Sequence, residues 1–573
     1  MQKNVFSKAI KLTLAALLLT ACGGSGSTST GGTESSGTSA AEAPAEKQES
    51  VTTVIEGEAA TEQVDRIVVA VNSPSTDASP FAMNTPTRGM VKEALYATLF
   101  YIEPGHFVED AQPYIGKTIT KADDLTYDVE IFDNITDSKG NPITADDVFW
   151  SYEYSFRNQE LLNYGTDVES LTVVDPTHLQ FKLTKKIPGT IEGLIKSGAL
   201  TIVNQAWFEG ATDEERQMDP ATTGPYTLKE HVSGSSIVVE ARDDYWKTDK
   251  SQRNPVEMQN VKEIDFKVIS ENSMRAIALE NKEVDYAQIQ PNELHRFFEN
   301  GKSKDGYNVW IGNAGTPMYN VVFLNMEENS DSVFANDINL RKAALYALSS
   351  EDIMLASGAT LETGTVLKGF GVEGQGGYPA SWDEADHDYY NYDPEKAHEF
   401  YKASGHADGE VTVRFMTNIS IYSDSVRSVM IANLEEAGFT VEPLAVDAAL
   451  MLKYRFETNI WDMEMAPKLA GDHVVTGWDN LFNPVGYTNG SVCFTHDDKL
   501  VELLNAAVND ATEENINAFD EYMTDQAICK AIFVAKSITV AQDGILEQTR
   551  GTNGGFTPSG AVYAKDYKSA VNK

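Results

Sequence analysis

Residues 263–287, EIDFKVISENSMRAIALENKEVDYA, have the pattern of a strand, a helix and a second strand. Ile264, Phe266 and Val268 alternate with polar residues, as the inward face of a half-buried strand requires. The run SMRAIALENK is helix-like, and residues 284–286 lead into the next strand. Because a helix that joins adjacent strands usually makes them parallel, this stretch predicts an α/β sheet with a right-handed crossover.

A second unit of the same kind follows about 150 residues later. Residues 411–415 alternate as a strand does, and FTVEPLAV, residues 439–446, is the next strand. The helix between them has one apolar face, formed by Val426, Met430, Leu434 and Ala437, and Gly438 ends it. Two units this far apart in sequence predict two α/β lobes rather than one sheet.

A different pattern lies between an early strand, RIVVAVN at residues 66–72, and the first unit. Residues 127–131 alternate, and SKGNP at 138–142 makes a turn. Residues 144–147, TADD, form a capping box that opens the helix VFWSYEYSF. The strand HLQFKL at 178–183 follows. We interpret this region as a small α+β domain inserted into the first lobe.

The N-terminus has the pattern of an export signal. Three lysines precede an apolar core at residues 12–19, which is far shorter than the roughly 20 residues of a spanning helix. Residues 19–22, Leu-Thr-Ala-Cys, resemble the lipobox of bacterial lipoproteins. That resemblance implies cleavage before Cys22 and its lipidation. The alternative is an ordinary signal peptide in which Cys22 has no role.

The segment after Cys22 is nearly all Gly, Ser, Thr, Ala and Glu as far as about residue 63. Such a composition buries too little apolar surface to offset the entropy of folding, so it predicts a flexible tether. Two or three acyl chains hold a protein firmly at a membrane, whereas one holds it weakly. We therefore expect a lipid-anchored domain at the outer face of the cell membrane.

The formal net charge is −41, and loss of the three signal lysines makes the mature chain about −44. This acidity excludes nucleic-acid backbone binding as a general function and argues against docking on anionic lipid. No later segment is long and apolar enough to span a bilayer. Cys493 and Cys529 form one disulfide or remain two buried thiols, and their spacing does not decide between these alternatives.

No catalytic or metal motif is complete. Residues 369–374, GFGVEG, match the dinucleotide fingerprint, but further glycines and a proline follow where a helix is needed, so we predict a mobile loop. His398 and Glu399 begin a zinc-protease pattern that fails because Lys402 stands where the second histidine is required. A glycosidase-like acid pair can be neither singled out nor excluded. We predict no enzymatic activity, no metal site and no cofactor.

Five stretches, in order along the chain, resemble the peptide-type extracellular solute-binding proteins of bacteria. They are residues 125–154, TGPYTL at 223–228 with ARDDYWK at 241–247, residues 263–287, INLRKAALYALSSEDIM at 338–354, and residues 392–415. The resemblance implies two lobes that close over a buried cleft, with an extra domain on the first lobe. It also implies a receptor that delivers small ligands, usually short peptides, to the permease subunits of an ABC importer.

These observations predict the domain organisation and the mode of action. The expected ranges are 1–21 signal peptide, 22–63 disordered tether, 64–100 lobe I, 101–218 inserted α+β domain, 219–312 lobe I continued, 313–536 lobe II and 537–573 return to lobe I. We expect a monomer that contacts a small ligand, the permease and, through its lipid anchor, the membrane, but no nucleic acid.

Peptide-binding members of that family carry an aspartate that pairs with the amino terminus of the ligand. The matching segment here is residues 461–484, WDMEMAPKLAGDHVVTGWDNLFNP. Asp472 is the best match and Asp479 the competitor, because the expected proline is absent and the spacing is shifted. The alternative for Asp472 is a solvated loop position. Trp478 and Tyr487 are either pocket walls or ordinary core residues.

Other functions remain possible at this point. An exported hydrolase would need a pocket with an acid/base pair of shifted pKa. A surface adhesin would bind another protein rather than a small ligand. If the amine-binding aspartate is absent, the shifted spacing points to an oligosaccharide or a metal chelate as the ligand. Short peptides remain the prediction.

Overall fold

The computed structural model of the chain describes a defined set of residues. They are residues 51–52, 57–72, 78–81, 89–103, 106–157, 167–186, 188–197, 200–312, 318–384, 387–483, 497–551, 555–569 and 571. The predicted lipidation site Cys22, the pocket residue Tyr487 and Cys493 lie outside this set. Cys529 is buried, and the alternatives for its pairing with Cys493 stay open.

Strands and helices are numbered here in chain order. The strands are β1 Val51–Thr52, β2 Val64–Val71, β3 Phe100–Tyr101, β4 Gln112–Pro113, β5 Gly116–Lys121, β6 Thr126–Ile131, β7 Val168–Asp175, β8 His178–Leu183, β9 Tyr226–Val232, β10 Ser236–Ala241, β11 Val261–Val268, β12 Tyr286–Ile289, β13 Phe298–Glu299, β14 Lys302–Ser303, β15 Tyr307–Gly312, β16 Met318–Leu324, β17 Gly364–Val366, β18 Thr412–Asn418, β19 Thr440–Val446, β20 Met463–Leu469, β21 Cys529–Ala535, β22 Ser537–Gln542, β23 Ile545–Glu547 and β24 Val562–Tyr563.

The α-helices are α1 Met90–Leu95, α2 Ala145–Arg157, α3 Thr190–Lys196, α4 Gln205–Gly210, α5 Asp213–Met218, α6 Asn272–Glu280, α7 Ile338–Ala347, α8 Ser350–Ala356, α9 Pro394–Ala403, α10 Asp424–Glu436, α11 Ala448–Arg455, α12 Val474–Phe482, α13 Asp498–Asn509 and α14 Glu513–Asp525. Short 3₁₀ helices span Val108–Asp110, Lys250–Gln252, Pro255–Glu257, Pro291–Arg296 and Ala380–Asp383.

The sheet of lobe I has the strand order β1-β15-β22-β12-β2-β11-β10-β9. The predicted strand–helix–strand unit is present as β11, α6 and β12. Its strands run parallel, but β2 lies between them and pairs with both, so the crossover passes over one strand. Ile264 and Phe266 are buried in the core, which confirms the inward face read from the alternation.

The inserted domain is built on an antiparallel sheet with the order β5-β6-β8-β7 and on α2. Half of the predicted box is present at the start of α2, where the backbone N–H and hydroxyl of Thr144 donate to Asp147 at 2.8 and 2.9 Å. Its core also includes Tyr245, Trp246 and Val256, which the sequence places in lobe I. The predicted boundaries 101–218 therefore omit part of the core of this domain.

Lobe II has a mixed sheet with the order β17-β21-β16-β20-β18-β19. The second predicted unit is confirmed, since β18 and β19 are parallel neighbours joined by α10. Val426, Met430 and Leu434 are buried on the inner face of that helix. Gly438 has a φ of +106°, and this left-handed backbone after the helix explains the glycine there.

Two connections join the lobes side by side. The antiparallel neighbours β15 and β22 belong to lobe I, and the antiparallel neighbours β16 and β21 belong to lobe II. The chain therefore passes from β15 to β16 on the way out and from β21 to β22 on the way back. Lys536 alone separates the last two strands, and its N–H donates to the carbonyl of Thr363 at 2.8 Å.

The predicted tether is too long at its C-terminal end. Ala59 forms a β-bridge with Ala564, and the N–H of Ala60 donates to the carbonyl of Tyr563 at 2.7 Å. The N–H of Lys565 donates to the carbonyl of Glu58 at 2.8 Å. Residues 57–63 are therefore part of lobe I, held by backbone hydrogen bonds that a composition-based reading does not detect.

Candidate functional site

The two candidate aspartates lie where lobe II faces the inserted domain. Asp472 is in the turn between β20 and α12, and Asp479 is within α12. The turn needs Gly471, which has a φ of +77°. The side-chain amide of Gln375 donates to the carbonyls of Ala470 and Gly471 and fixes the turn from the neighbouring loop.

Asp472 forms an ion pair with a lysine of the inserted domain. Lys196 lies in the last turn of α3, and its Nζ is 2.8 Å from Oδ2 of Asp472. The two side chains are only 9% and 13% exposed, so the pair is largely shielded from water. The solvated-loop alternative for Asp472 is therefore wrong, and this carboxylate lies at a contact between two parts of the molecule.

A second ion pair joins the same two parts. Nζ of Lys185 lies 2.9 Å from Oδ2 of Asp479, and the side-chain amide of Asn483 donates to the other oxygen at 2.7 Å. Asp167 belongs to the same group of charges. The pKa of Asp167 is raised to about 6, mainly by burial, with Lys185 lowering it and Asp479 raising it. Asp479 therefore binds a protein cation, as Asp472 does.

The N-terminal end of α3 touches lobe II through its backbone. Gly189 precedes the helix with a φ of +87°, and a Cβ there would lie 3.1 Å from Oγ1 of Thr476. The Thr476 hydroxyl donates to the carbonyl of Pro188. A glycine is needed here for two reasons, since the backbone is left-handed and lobe II approaches closely.

His473 fills the apolar part of the same contact. Its ring meets that of Phe107 of the inserted domain edge-on, with centroids 6.4 Å apart, and packs against the backbone of Gly376 and Gly377. The N–H of Val475 donates to Nδ1 of His473 at 3.3 Å. Burial lowers the pKa of His473 to about 4, so the imidazole is neutral near pH 7.

Trp478 is a core residue of lobe II. It is fully buried, its indole N–H donates to the carbonyl of Phe370 at 2.6 Å, and its ring stacks on Phe519 with centroids 4.5 Å apart. Its neighbours Phe370 and Phe519 belong to the same lobe, so the ring is enclosed within lobe II. The prediction of a pocket wall is therefore wrong for Trp478, and the alternative of a core position applies.

The glycine-rich segment 369–374 packs inside lobe II against the helix that carries Asp479. The N–H of Phe370 donates to the buried Asp520 at 3.0 Å, and a Cβ on Gly371 would lie 2.8 Å from Val474. The segment is followed by turns and the 3₁₀ helix Ala380–Asp383, as expected of a chance match to the dinucleotide fingerprint. The predicted mobile loop is instead a packed one.

The sequence did not identify Lys185 and Lys196 as site residues. Both lie in the inserted domain, and no local pattern connects them to residues 461–484. One signal was available, because Glu192 and Lys196 are four residues apart in TIEGLIK, the spacing of neighbours on a helix surface. Reading that pair would have marked α3 as a charged helix, but not its contact with lobe II.

The chemistry of this contact is that of charge pairing and hydrogen bonding. It brings together the carboxylates of Asp167, Asp472 and Asp479, two ammonium groups, a neutral imidazole and backbone carbonyls. Among the described residues, no group of three or more His, Cys, Asp or Glu side chains is arranged to hold a metal ion. Within the same set, every helix is too short or too polar to cross a bilayer.

Most of the chain, including both candidate aspartates, matches a known protein family. Residues 113–487 match the family model described as bacterial extracellular solute-binding proteins, family 5 Middle. The match runs from the inserted domain through most of lobe II and includes Asp472 and Asp479. It covers more than half of the chain.

Individual proteins are more distantly similar. The chain is 28% identical over 158 residues to the probable peptide-binding protein YejA of Agrobacterium fabrum, which covers 26% of this chain and only 25% of that protein. It is 23% identical over 389 residues to the glutathione-binding protein GsiB of Salmonella typhimurium, which covers 67% and 70% of the two chains.

A solved structure shares the architecture. The putative peptide binding protein AppA from Clostridium difficile matches with a TM-score of 0.71 at 17% sequence identity, over 87% of this chain and 100% of that one. At this identity the likeness concerns the fold alone. It confirms the predicted two-lobed α/β fold.

Proposed function

This chain belongs to the bacterial extracellular solute-binding proteins, family 5, and we propose that it captures short peptides between its lobes for an ABC importer. In this proposal the protein is a monomer without catalytic activity, and its protein partners are the permease subunits. It is tethered to the outer face of the cell membrane through a lipid on Cys22. It needs no cofactor and binds no nucleic acid.

The observation that carries the proposal is the contact between the inserted domain and lobe II. Two side-by-side connections join the lobes, and such a joint lets them rotate as rigid bodies. The surfaces that meet contain Asp472, a shielded carboxylate already paired with an ammonium group. A ligand that brings its own ammonium group has the chemistry to take that place.

A peptide fits this site for a general reason. Main-chain hydrogen bonds along an extended peptide give affinity without reading side chains, so one receptor serves many sequences. A charge-assisted bond from the amino terminus to Asp472 then fixes the register. The names of the relatives, which include peptide- and glutathione-binding proteins, support peptides as the class of ligand.

Calorimetry with free and amino-acetylated peptide tests this proposal. Wild type is expected to prefer the free peptide, and Asp472→Asn is expected to weaken its binding by about thirtyfold or more, about 2 kcal/mol, because the ammonium group loses its partner in a dry site. Asp331→Asn is a matched control, since Asp331 is a lobe II aspartate whose side chain is 65% exposed. Equal binding of both peptides by wild type would contradict the amine site and favour an oligosaccharide or a metal chelate.

The lipid anchor is tested separately. Cys22→Ala is expected to release the protein from membranes or to leave its signal uncleaved, and mass spectrometry of the mature N-terminus reads out both. An unmodified N-terminus on soluble wild-type protein would contradict the anchor without affecting the ligand site. Turnover of peptide or glycan panels by the purified protein would favour the rival hydrolase.

A further inference from the structure

Two carboxylates lie near Lys196, and its ammonium group forms an ion pair with one of them. Its Nζ contacts Asp472 across the lobe interface at 2.8 Å. Glu192 lies one helical turn earlier on α3, four residues before Lys196. On a helix, a glutamate four residues before a lysine is well placed for an ion pair. The lysine therefore has a partner on lobe II and a second carboxylate, not in contact with it, one turn away on its own helix.

Glu192 is an unusual partner because half of its carboxylate is unused. Its Oε1 accepts the N–H of Val108 at 2.9 Å. Its Oε2 is buried and has no hydrogen-bond partner among the residues that the structure describes, although the residue is only 3% exposed. A buried polar atom without a partner is costly and calls for an explanation. A cation that arrives at Oε2 in another state of the protein is such an explanation.

The charges around Glu192 agree with this view. Burial is the main reason why its pKa is raised, Glu109 adds to the shift, and Lys196 lowers the pKa. Lys196 acts on this carboxylate and belongs to the same helix, so it would stay within reach if the lobes separated. Asp472, in contrast, moves away with lobe II.

We propose that Lys196 moves between Asp472 and Glu192, and that it holds the ammonium position of the ligand site until a ligand's ammonium group replaces it. In the closed protein without ligand, the lysine pairs with Asp472. When the lobes open or a ligand amine takes Asp472, the lysine turns back to Glu192. The ligand part of this inference rests on the proposed function, whereas the opening part does not.

Two consequences follow from such a switch. The lysine competes with the ligand, so removing it strengthens amine binding. Glu192 stabilises the displaced lysine, so removing the charge of Glu192 makes displacement harder and weakens amine binding. A lysine that merely crosses the interface would give the first effect without the second, and this difference makes Glu192 the informative residue.

The first experiment needs no ligand. A crystal structure of full-length Asp472→Asn, grown without added peptide, is expected to show Nζ of Lys196 within hydrogen-bond distance of Glu192. A lysine that instead points into solvent or stays on residue 472 would overturn the switch. If this variant fails to crystallise, Asp472→Ala serves the same purpose, because it also removes the carboxylate from lobe II.

The second experiment measures tri-alanine and amino-acetylated tri-alanine by calorimetry. Lys196→Met is expected to bind tri-alanine about tenfold more tightly than wild type, and Glu192→Gln about threefold more weakly. The acetylated peptide should bind alike to all three proteins. Lys186→Met is the control, since Lys186 pairs with Asp124 at 3.5 Å on the exposed surface of the inserted domain.

The outcomes separate the two proposals. Unchanged affinity in Glu192→Gln together with tighter binding in Lys196→Met would overturn the second position of the lysine while leaving peptide binding intact. No binding of tri-alanine by any of the proteins would count against the peptide proposal, and the crystal structure of Asp472→Asn would still decide the switch.

Discussion

Two lysine–carboxylate pairs of the inserted domain are built differently, one inside its core and one at its contact with lobe II. In segment 245–257, which adds Tyr245, Trp246 and Val256 to that core, Lys247 and Glu257 are 2.7 Å apart with side chains 2% and 0% exposed. Glu257 also accepts the Tyr245 hydroxyl at 2.6 Å and the N–H of Asn254 at 3.0 Å. Towards lobe II, Lys196 pairs with a less deeply buried Asp472, and Glu192 lies one helical turn away on α3.

The difference distinguishes a pair that belongs to the core of the inserted domain from a pair that crosses to lobe II. Burial lowers the pKa of Lys247 and raises that of Glu257, and each partner counters the shift of the other, so neither tolerates loss of its counterpart. The rings of Phe132 and Trp246 lie 5.2 and 5.1 Å from the Lys247 ammonium group. Such a pair fixes segment 245–257 on the rest of the inserted domain, where Lys247 also donates to the carbonyl of Pro113, whereas the pair of Lys196 and Asp472 joins two parts of the molecule.

Glu257→Gln is the substitution with the largest expected effect on stability. It leaves the Lys247 ammonium group buried without a counter-ion, so we expect the free energy of unfolding to fall by about 3–5 kcal/mol. Urea unfolding followed by circular dichroism measures the loss. Because the protein has several domains, the midpoint of the transition that contains the inserted domain is the quantity to compare.

Asp472→Asn is the matched control for that experiment. It removes the carboxylate from the other pair, but Lys196 can turn to Glu192, so we expect a loss of less than about 1 kcal/mol. Equal losses of unfolding free energy in Glu257→Gln and Asp472→Asn would mean that the pair at the lobe II contact stabilises the protein as much as the pair in the core does.

Much of the fold could be predicted because its signals are local. Alternation in β11 and β18 and the box at Thr144 lie within a few residues of the elements they define. The position of β2 between β11 and β12 was not predicted, because it depends on pairing between strands almost 200 residues apart. The same limit applies to the core of the inserted domain, which recruits Tyr245 from beyond residue 218.

The candidate site could be predicted only in part. Asp472 and Asp479 were found through the family pattern, but their partners were not, because Lys185 and Asp479 are 294 residues apart. Trp478 could have been assigned to the core, because Val474, Leu481 and Phe482 share its face of α12 at helical spacing and all are buried. The expectation of a pocket wall came from its place near Asp472 in the sequence and not from this spacing.

The pH dependence of the free energy of unfolding tests the burial of His473 at the contact with lobe II. Burial lowers the pKa of His473 to about 4, whereas an unfolded histidine titrates near 6.5. As the pH falls below 6.5, His473 becomes protonated in the unfolded chain but stays neutral in the folded chain. The free energy of unfolding therefore falls between pH 6.5 and pH 4, and the full stability is present only above pH 6.5. By pH 5 we expect the loss to be about 2 kcal/mol.

The comparison with His473→Asn isolates this effect from the many acidic groups of the chain. The difference in unfolding free energy between wild type and variant should shrink from pH 7 to pH 5. His178 is a useful second control, because its ring is partly exposed and already paired with Asp175 at 2.8 Å. A difference that does not change with pH would place His473 in a wetter environment than the contact with Phe107 provides.

The smallest expected effect concerns Lys185, the more exposed of the two lysines at the contact with lobe II. Its side chain is 37% exposed, and Asp479 keeps a hydrogen bond from Asn483 when the lysine is gone. Lys185→Met should therefore lower the free energy of lobe contact by less than about 1 kcal/mol. Small-angle scattering without ligand should show a slightly larger radius of gyration at low salt and no difference from wild type at high salt, because salt screens an exposed pair. A larger radius of gyration that persists at high salt would contradict the exposed, screened character of the pair of Lys185 and Asp479.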